Sequence, residues 1–522
     1  MSSQQRVILA VSLAFLFYVL YVYFFVPKQV AQNQNITTTS EFAANQAPQE
    51  AGEVSAKSAP AGGVVSSDEI IAKIEADDFE IHIDKLGRIS KYYLNGENFK
   101  NENGERIQLL DQSYALLPLE IRFSDTKLNN EAFITSYTAD KSSITLQGEP
   151  QTLSLKQELD GVSVEKQITF TQKQGYSVQV SLSTPKGYFI STGFRPNQLA
   201  DGYAFHGAIV KKSDGSLEKI DDGSLKQQEN FNGTLFVAAS DRYYTTLLAS
   251  VEQNGLDVSI VPGKDKDPNI FIKGQESLKL QGYIGPKSRA NIRSVDENFD
   301  DVIEYGFFTW ISKPVFSFLY FIHSNVGNWG WSIVIMTLLI RLVLYPLTYK
   351  GMVSMNRLKE LMPKVKELQE KYKSDKQKLN MHVMELYKKH GANPMGGCLP
   401  ILVQIPIFFA IYRVLVNTIE LKNSEWIFWV QDLAVRDPYF ILPVAMGLTM
   451  FLQQRITPTN FTDPMQEKIM KFLPLIFTIF FLWFPAGLTL YWFVNNLFSM
   501  AQQMYVNRLF ARKKAEREKA HQ

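Results

Sequence analysis

Residues 329–349, WGWSIVIMTLLIRLVLYPLTY, constrain this 522-residue chain more than any other stretch. The segment is apolar enough and long enough to cross a bilayer, yet Arg341 stands inside it. An arginine at mid-membrane depth costs about 2.5–3.5 kcal/mol on insertion scales. Such a residue is kept where it faces a protein interior or a water-filled cavity. The stretch therefore predicts an α-helical polytopic membrane protein with a polar interior.

The mean hydropathy of −0.11 averages a polar first half with an apolar C-terminal third. One cysteine, Cys398, excludes an internal disulfide framework, and its apolar surroundings make it a small buried hydrophobe. The six histidines show no HExxH or other metal-ligand spacing, and no nucleotide-binding motif is present. The chain is expected to be no enzyme and to carry neither a metal nor a small-molecule cofactor.

Val7 to Val26 is an uncharged run of 20 residues, enough to span. It continues into PKQVAQNQ without a small-residue cleavage site, so residues 1–27 read as an uncleaved N-terminal anchor. Residues 28–66, rich in Gln, Asn, Ser, Thr, Ala and Gly, have little to bury and read as a flexible linker.

From 67 to 305 the period changes to two. Phe79, Ile81 and Ile83 alternate before a turn at Lys85–Gly87. Val162, Val164, Ile168 and Phe170 share a parity, and Gly175 turns the chain into Tyr176, Val178, Val180 and Leu182. Such antiparallel hairpins with one buried face predict a large all-β sandwich. His206, in YAFHGAIV, reads as a structural histidine of that domain. Residues 306–328 are apolar but interrupted by Lys313 and Pro314, which predicts an amphipathic interfacial helix; a core helix of the β domain is the alternative.

The arginine-bearing span opens a helical core at 329–507. After it, residues 350–393 trace an α-hairpin with apolar faces Leu358, Leu361, Met362, Val365, Leu368, Tyr372 and Leu379, Val383, Leu386, Tyr387. Further spans are expected at about Cys398–Val416, Tyr439–Gln453, Phe472–Phe484 and Leu488–Val506, which with the anchor makes six transmembrane helices. The hairpin has eleven Lys/Arg against five Asp/Glu, a balance of +6 that includes Lys364, Lys366, Lys371, Lys373, Lys376 and Lys378. The tail at 508–522 is +4, with Arg508, Arg512, Lys513 and Lys514, whereas the loop at 417–438 is −2. The positive-inside rule then puts the hairpin, the tail and the N-terminus in the cytoplasm and the β domain outside.

At about 1.5 Å per residue, Arg341 and Gln404 lie about 9 Å deep from the cytoplasmic side, and Asn495 and Asn496 about 13 Å. Thr337 precedes Arg341 by four residues and shares its face. Polar groups from three spans thus gather at one depth. Hydrogen bonding between helices accounts for the amides. It accounts poorly for the arginine, since no Asp or Glu lies within any span, and a hydrated cavity open to the cytoplasm is the favoured reading.

The segments SIVIMTLLIRLVLYPLT, NPMGGCLPILVQIPIFFAIY and DPMQEKIMKFLPLIFTIFFLWFPAGLTLYWFVNN closely resemble the bacterial YidC membrane protein insertases, of the superfamily shared with mitochondrial Oxa and chloroplast Albino. The resemblance is specific over about 300–510 and weaker over 67–305, where it rests on position and on pieces such as YIGPK. It implies the long Gram-negative form: inner membrane, a periplasmic β-supersandwich, and a hydrophilic groove open to cytoplasm and lipid. The groove positions map onto Arg341, Thr337, Gln404, Asn495 and Asn496. Tyr491–Trp492 stands where other members have a tyrosine pair. The implied partners are nascent membrane proteins, the Sec translocon with its accessory subunits, the ribosome and the phospholipid bilayer. Two rivals come from other classes. A secondary transporter normally needs intramembrane carboxylates, which are lacking here, and a membrane-tethered sugar-active enzyme rests on fold likeness alone.

Overall fold

The structure is a computed structural model that describes residues 69–520, apart from 97–98, 101–103, 111–115, 197–203, 252–254, 374, 393–398 and 458–463. The expected anchor, the linker and Cys398 lie outside the described residues. Chain contacts form two compact units that divide between Glu304 and Tyr305.

In the first unit the described strands form a five-stranded and a thirteen-stranded sheet. Phe79, Ile81 and Ile83 are all buried on strand Phe79–Asp84, as the two-residue period requires. Strand Val162–Phe170 pairs antiparallel with Gly175–Leu182, Val178 opposite Ile168 and Leu182 opposite Val164. One detail of that hairpin differs from expectation. The left-handed turn residue is Gln174, with φ +64°, and not Gly175. Gly175 is needed for space instead, because a Cβ there would meet Val295 at 2.8 Å. His206 is half-buried, and its carbonyl accepts the Asp222 N–H at 2.9 Å.

The buried parity of strand Val162–Phe170 also includes Lys166. A buried ammonium needs acceptors. Lys166 donates to the carbonyls of Gly87 at 3.0 Å and Leu119 at 2.8 Å, and lies 4.5 Å from the Tyr137 ring centre. Both carbonyl-bearing residues have left-handed backbone, φ +65° and +64°. Beside it Arg88 bonds Asp84 at 2.8 Å and Glu120 at 2.9 Å, and Glu120 also accepts from Arg122 at 2.7 Å. Lys166 thus ties a turn of the smaller sheet to strand Pro118–Phe123 of the larger one.

In the second unit, helix α1 (Thr309–Val326) buries Ser312, Phe316, Leu319 and Ile322 along one face, while Trp310 and Phe321 stay exposed. It packs on the helical unit, with the Ser312 hydroxyl 3.4 Å from the Ala410 carbonyl and His323 stacked on Trp329 at 3.8 Å. Helix α2 (Trp329–Val343) and helix α3 (Tyr345–Lys371) meet at a 64° bend. The apolar stretch 329–349 is therefore broken at Leu344. Pro346 in the first turn of α3 lacks the N–H that would continue the ladder. Asp375 caps α4 (Lys376–Lys389), completing the hairpin around Leu358, Leu361 and Ala392.

Helices α5 (Leu399–Asn417), α6 (Ile441–Ile456), α7 (Pro464–Phe481) and α8 (Ala486–Ala520) follow. Two helices run beyond the apolar stretches read as spans. Helix α7 starts eight residues before the expected span, in the polar turn PMQEK, which suits a helix N-terminus better than hydropathy shows. Helix α8 runs without a break into the basic tail, as far as Ala520. A Cβ at Gly447 would run into the Thr478 hydroxyl, so glycine sets the α6–α7 approach. Val444, Leu448, Leu475, Ile476 and Ile479 remain exposed on the same helices, an apolar face that water would not favour. Among the described residues no single helix is both long enough and apolar enough to cross a membrane, and the bent pair α2–α3 passes that test together.

Burial pushes the Lys166 ammonium down to about 7, against the pull of Asp84 and Glu120. Below that pH the folded chain holds a charge it would rather lose, and the penalty is relieved as pH rises towards the ordinary lysine value. Stability of the β unit should therefore rise between pH 7 and 10, by at most about 1.4 kcal/mol per pH unit from this group. Lys166→Met should flatten the rise of its thermal midpoint over that range, and parallel pH profiles for the two proteins would contradict the assignment.

Candidate functional site

The C-terminal turn of α2 carries Arg341, whose side chain is 8% exposed. Two features of its position follow from the bend. Arg341 stands two residues before the end of α2, not six residues short of a straight span's end. Its cation also lies at a helix C-terminus, the end that carries the partial negative charge.

Arg341 Nε donates to Asn495 Oδ1 at 2.7 Å, and Gln404 Nε2 donates to the same oxygen at 3.2 Å. Tyr491, one turn before Asn495 on α8, is buried and hydrogen-bonds with Gln404. So α2, α5 and α8 each contribute to one polar cluster. No carboxylate among the described residues pairs with Arg341. A guanidinium has five donor hydrogens, and a neutral amide oxygen leaves its full charge in place.

The other residues singled out from the sequence lie differently. Thr337 is buried, but its hydroxyl donates to the Ile333 carbonyl of its own helix at 2.7 Å. Asn496 is buried, and its Nδ2 has no partner. Trp492 joins an aromatic cluster with Phe408 at 4.7 Å, Phe481 at 5.4 Å and Phe477 at 5.9 Å, its indole N–H unpartnered. Lys364, Lys366, Lys371, Lys373 and Lys378 are exposed on the hairpin, and Lys376 opens α4. Arg508, Arg512, Lys513 and Lys514 are exposed on α8.

Sequence reasoning overlooked a longer polar stripe. Tyr491, Asn495, Ser499, Gln503 and Asn507 follow one another at intervals of four on α8, which places them on one face. Ser499 accepts from Gln453 at 2.8 Å, and Asn507 Oδ1 accepts from both Gln503 at 2.8 Å and Asn356 at 2.9 Å. Gln502 Nε2 reaches the Arg341 carbonyl at 3.4 Å. The four-residue spacing was the available signal. Among the described residues no group of three or more His, Cys, Asp or Glu could hold a metal ion.

Asn495→Leu would leave Arg341 and Gln404 without their shared acceptor, at about 1–3 kcal/mol for an unmet buried polar group. Asn495→Asp would turn the contact into a buried ion pair. The melting temperature of the detergent-solubilised chain should fall with leucine and hold or rise with aspartate. Equal losses would mean that Arg341 does not depend on this oxygen.

The chain matches the family model described as 60Kd inner membrane protein over residues 321–514, and that of the YidC periplasmic domain over 71–318. It is 50% identical over 513 residues to the membrane protein insertase YidC of Campylobacter jejuni, covering 98% of this chain and 97% of that one. Against the membrane protein insertase YidC of Helicobacter pylori the identity is 43% over 549 residues, covering 100% and 99%. A solved structure of an active YidC insertase, its first transmembrane domain resolved, aligns with 83% of this chain and 94% of its own, at a TM-score of 0.36 and 18% identity. On the near-full-length identity to these relatives, this chain belongs to the YidC family of membrane protein insertases.

Proposed function

We propose that the chain inserts nascent membrane proteins into the bacterial inner membrane and helps them fold, alone or with the Sec translocon, without catalysing a covalent step. The observation that carries the reading is a buried arginine whose side-chain acceptor is a neutral amide oxygen. A cation whose charge is not cancelled attracts acidic side chains and hydrates polar backbone, and either would lower the cost of carrying a polar segment through hydrocarbon. The apolar part of the client then leaves sideways into lipid, past the exposed faces of α6 and α7.

Asn495 orients the guanidinium, Gln404 donates to the same Asn495 oxygen, Tyr491 steadies Gln404, and the buried Asn496 offers a free donor at the same level. Thr337 stands one turn before Arg341 on α2, and Trp492 closes the apolar side of the groove with Phe408, Phe477 and Phe481. The topology we infer has six spans with both termini cytoplasmic and residues 28–328 periplasmic, supported by the +6 hairpin and the −2 loop. The exposed hairpin lysines and the basic end of α8 suit ribosomal RNA or anionic headgroups. The periplasmic unit is where contact with the Sec machinery is expected.

Reconstituted into proteoliposomes, the Arg341→Met and Asn495→Asp variants should both lose most insertion of a single-span client with an acidic translocated end. Asn495→Asp should do so without loss of thermal stability, because the new carboxylate cancels the charge that the client needs. Wild-type insertion by a stably folded Asn495→Asp chain would contradict the role assigned to Arg341.

A further inference from the structure

Beyond the polar cluster, α3, α8 and the end of the hairpin line a cavity of about 500 Å³, and part of the basic surface suited above to RNA or headgroups borders it. Its wall is of two kinds. Val353, Leu361 and Phe510 form an apolar part. Arg357, Lys364, Lys513 and Lys514 form a cationic part, with Glu360 the one carboxylate in the lining. Lys514 pairs with Glu360 at 3.4 Å, and the two cancel. Arg357 donates to the Gly391 carbonyl at 3.1 Å, a neutral partner that leaves its charge intact. No carboxylate among the described residues pairs with Lys364 or Lys513. Three net positive charges therefore border a space with apolar walls, a combination suited to an amphiphile with an anionic head.

The level of the cavity narrows the choice. Val506 and Phe510 line it, and between them Arg508 is the first charge on α8 after the groove. From Asn495 to Val506 is about 16 Å of helix. On the topology proposed above, that reach carries the cavity from the inner leaflet's hydrocarbon to its headgroup layer. Basic pockets between membrane helices on the cytoplasmic side suit acidic lipid headgroups, and the volume falls within the usual range of ligand sites.

We infer that this cavity is a binding site for one acidic glycerophospholipid, its phosphate against Arg357 and Lys513 and the upper acyl carbons against Val353 and Phe510. The site rests on the cytoplasmic orientation of the hairpin. A lipid held there would fasten the hairpin to α8 next to the groove's cytoplasmic mouth.

Native mass spectrometry of the full chain in detergent tests the site. The probes are phosphatidylglycerol, phosphatidylethanolamine, glycerol phosphate and an acidic peptide. Phosphatidylglycerol should be retained at least tenfold more tightly than phosphatidylethanolamine, and glycerol phosphate should not be retained. R357Q/K513Q should lose that preference, and V353W, which fills the cavity without altering charge, should lose phosphatidylglycerol as well. K366Q/K371Q removes the same charge from the exposed hairpin and should retain it. Equal retention of both lipids, equal loss in K366Q/K371Q, or tighter binding of the peptide would each overturn the site. If R357Q/K513Q fails to fold, V353W decides. Labelling of K389C (in a C398S background) by an impermeant thiol reagent outside intact cells would instead overturn the orientation, and leave the detergent result untouched.

Discussion

The hydrogen bond from Arg341 to Asn495 is the contact on which the helical unit's polar interior depends. Without an acceptor, a buried guanidinium is among the most expensive groups a helix can carry. With a carboxylate it would be satisfied and electrically silent. The amide is the intermediate choice, because it meets the donor and keeps the charge. Gln404 shares the same oxygen, Tyr491 bonds Gln404, and the bend at Leu344 brings the cation to the negative end of α2. None of these adds a full negative charge.

The β unit handles a buried cation in a comparable way. Lys166 is held by two backbone carbonyls and a tyrosine face, while Arg88 nearby takes the carboxylates of Asp84 and Glu120. The two treatments lead to different roles. Arg88 and its acids form a closed ion network that stitches strands together. Lys166 keeps a proton that burial has made easy to lose, so the packing it secures depends on pH.

Much of this was legible from one-dimensional patterns. Period-two alternation predicted the hairpin of Val162–Phe170 with Gly175–Leu182, and the polar residues of the apolar stretches pointed to Arg341, Gln404 and Asn495. What escaped were features that depend on direction or on distant partners. Hydropathy measures content, so a 64° bend at Leu344 leaves no trace in it except Pro346. Lys166 lies on the buried parity, but only the fold reveals the carbonyls of Gly87 and Leu119 that receive it. The stripe from Tyr491 to Asn507 was visible at four-residue spacing, yet part of it lies close to the expected end of the span and reads as interface. Thr337 has the right face, and its hydroxyl is nevertheless taken by its own helix.

The central claim is that a client passes beside Arg341 on its way into lipid. The most direct measurement is photocrosslinking from a probe at Gln404, half-buried and bonded to Asn495. A second probe at Val444, on the exposed apolar face of α6, serves as the control, with a ribosome-stalled single-span protein as client. The account predicts crosslinks from 404 at short stalled lengths, moving to 444 as the apolar segment is released. Crosslinks from 444 alone at every length would mean that the client never enters the groove, and that the cluster around Arg341 only holds helices together.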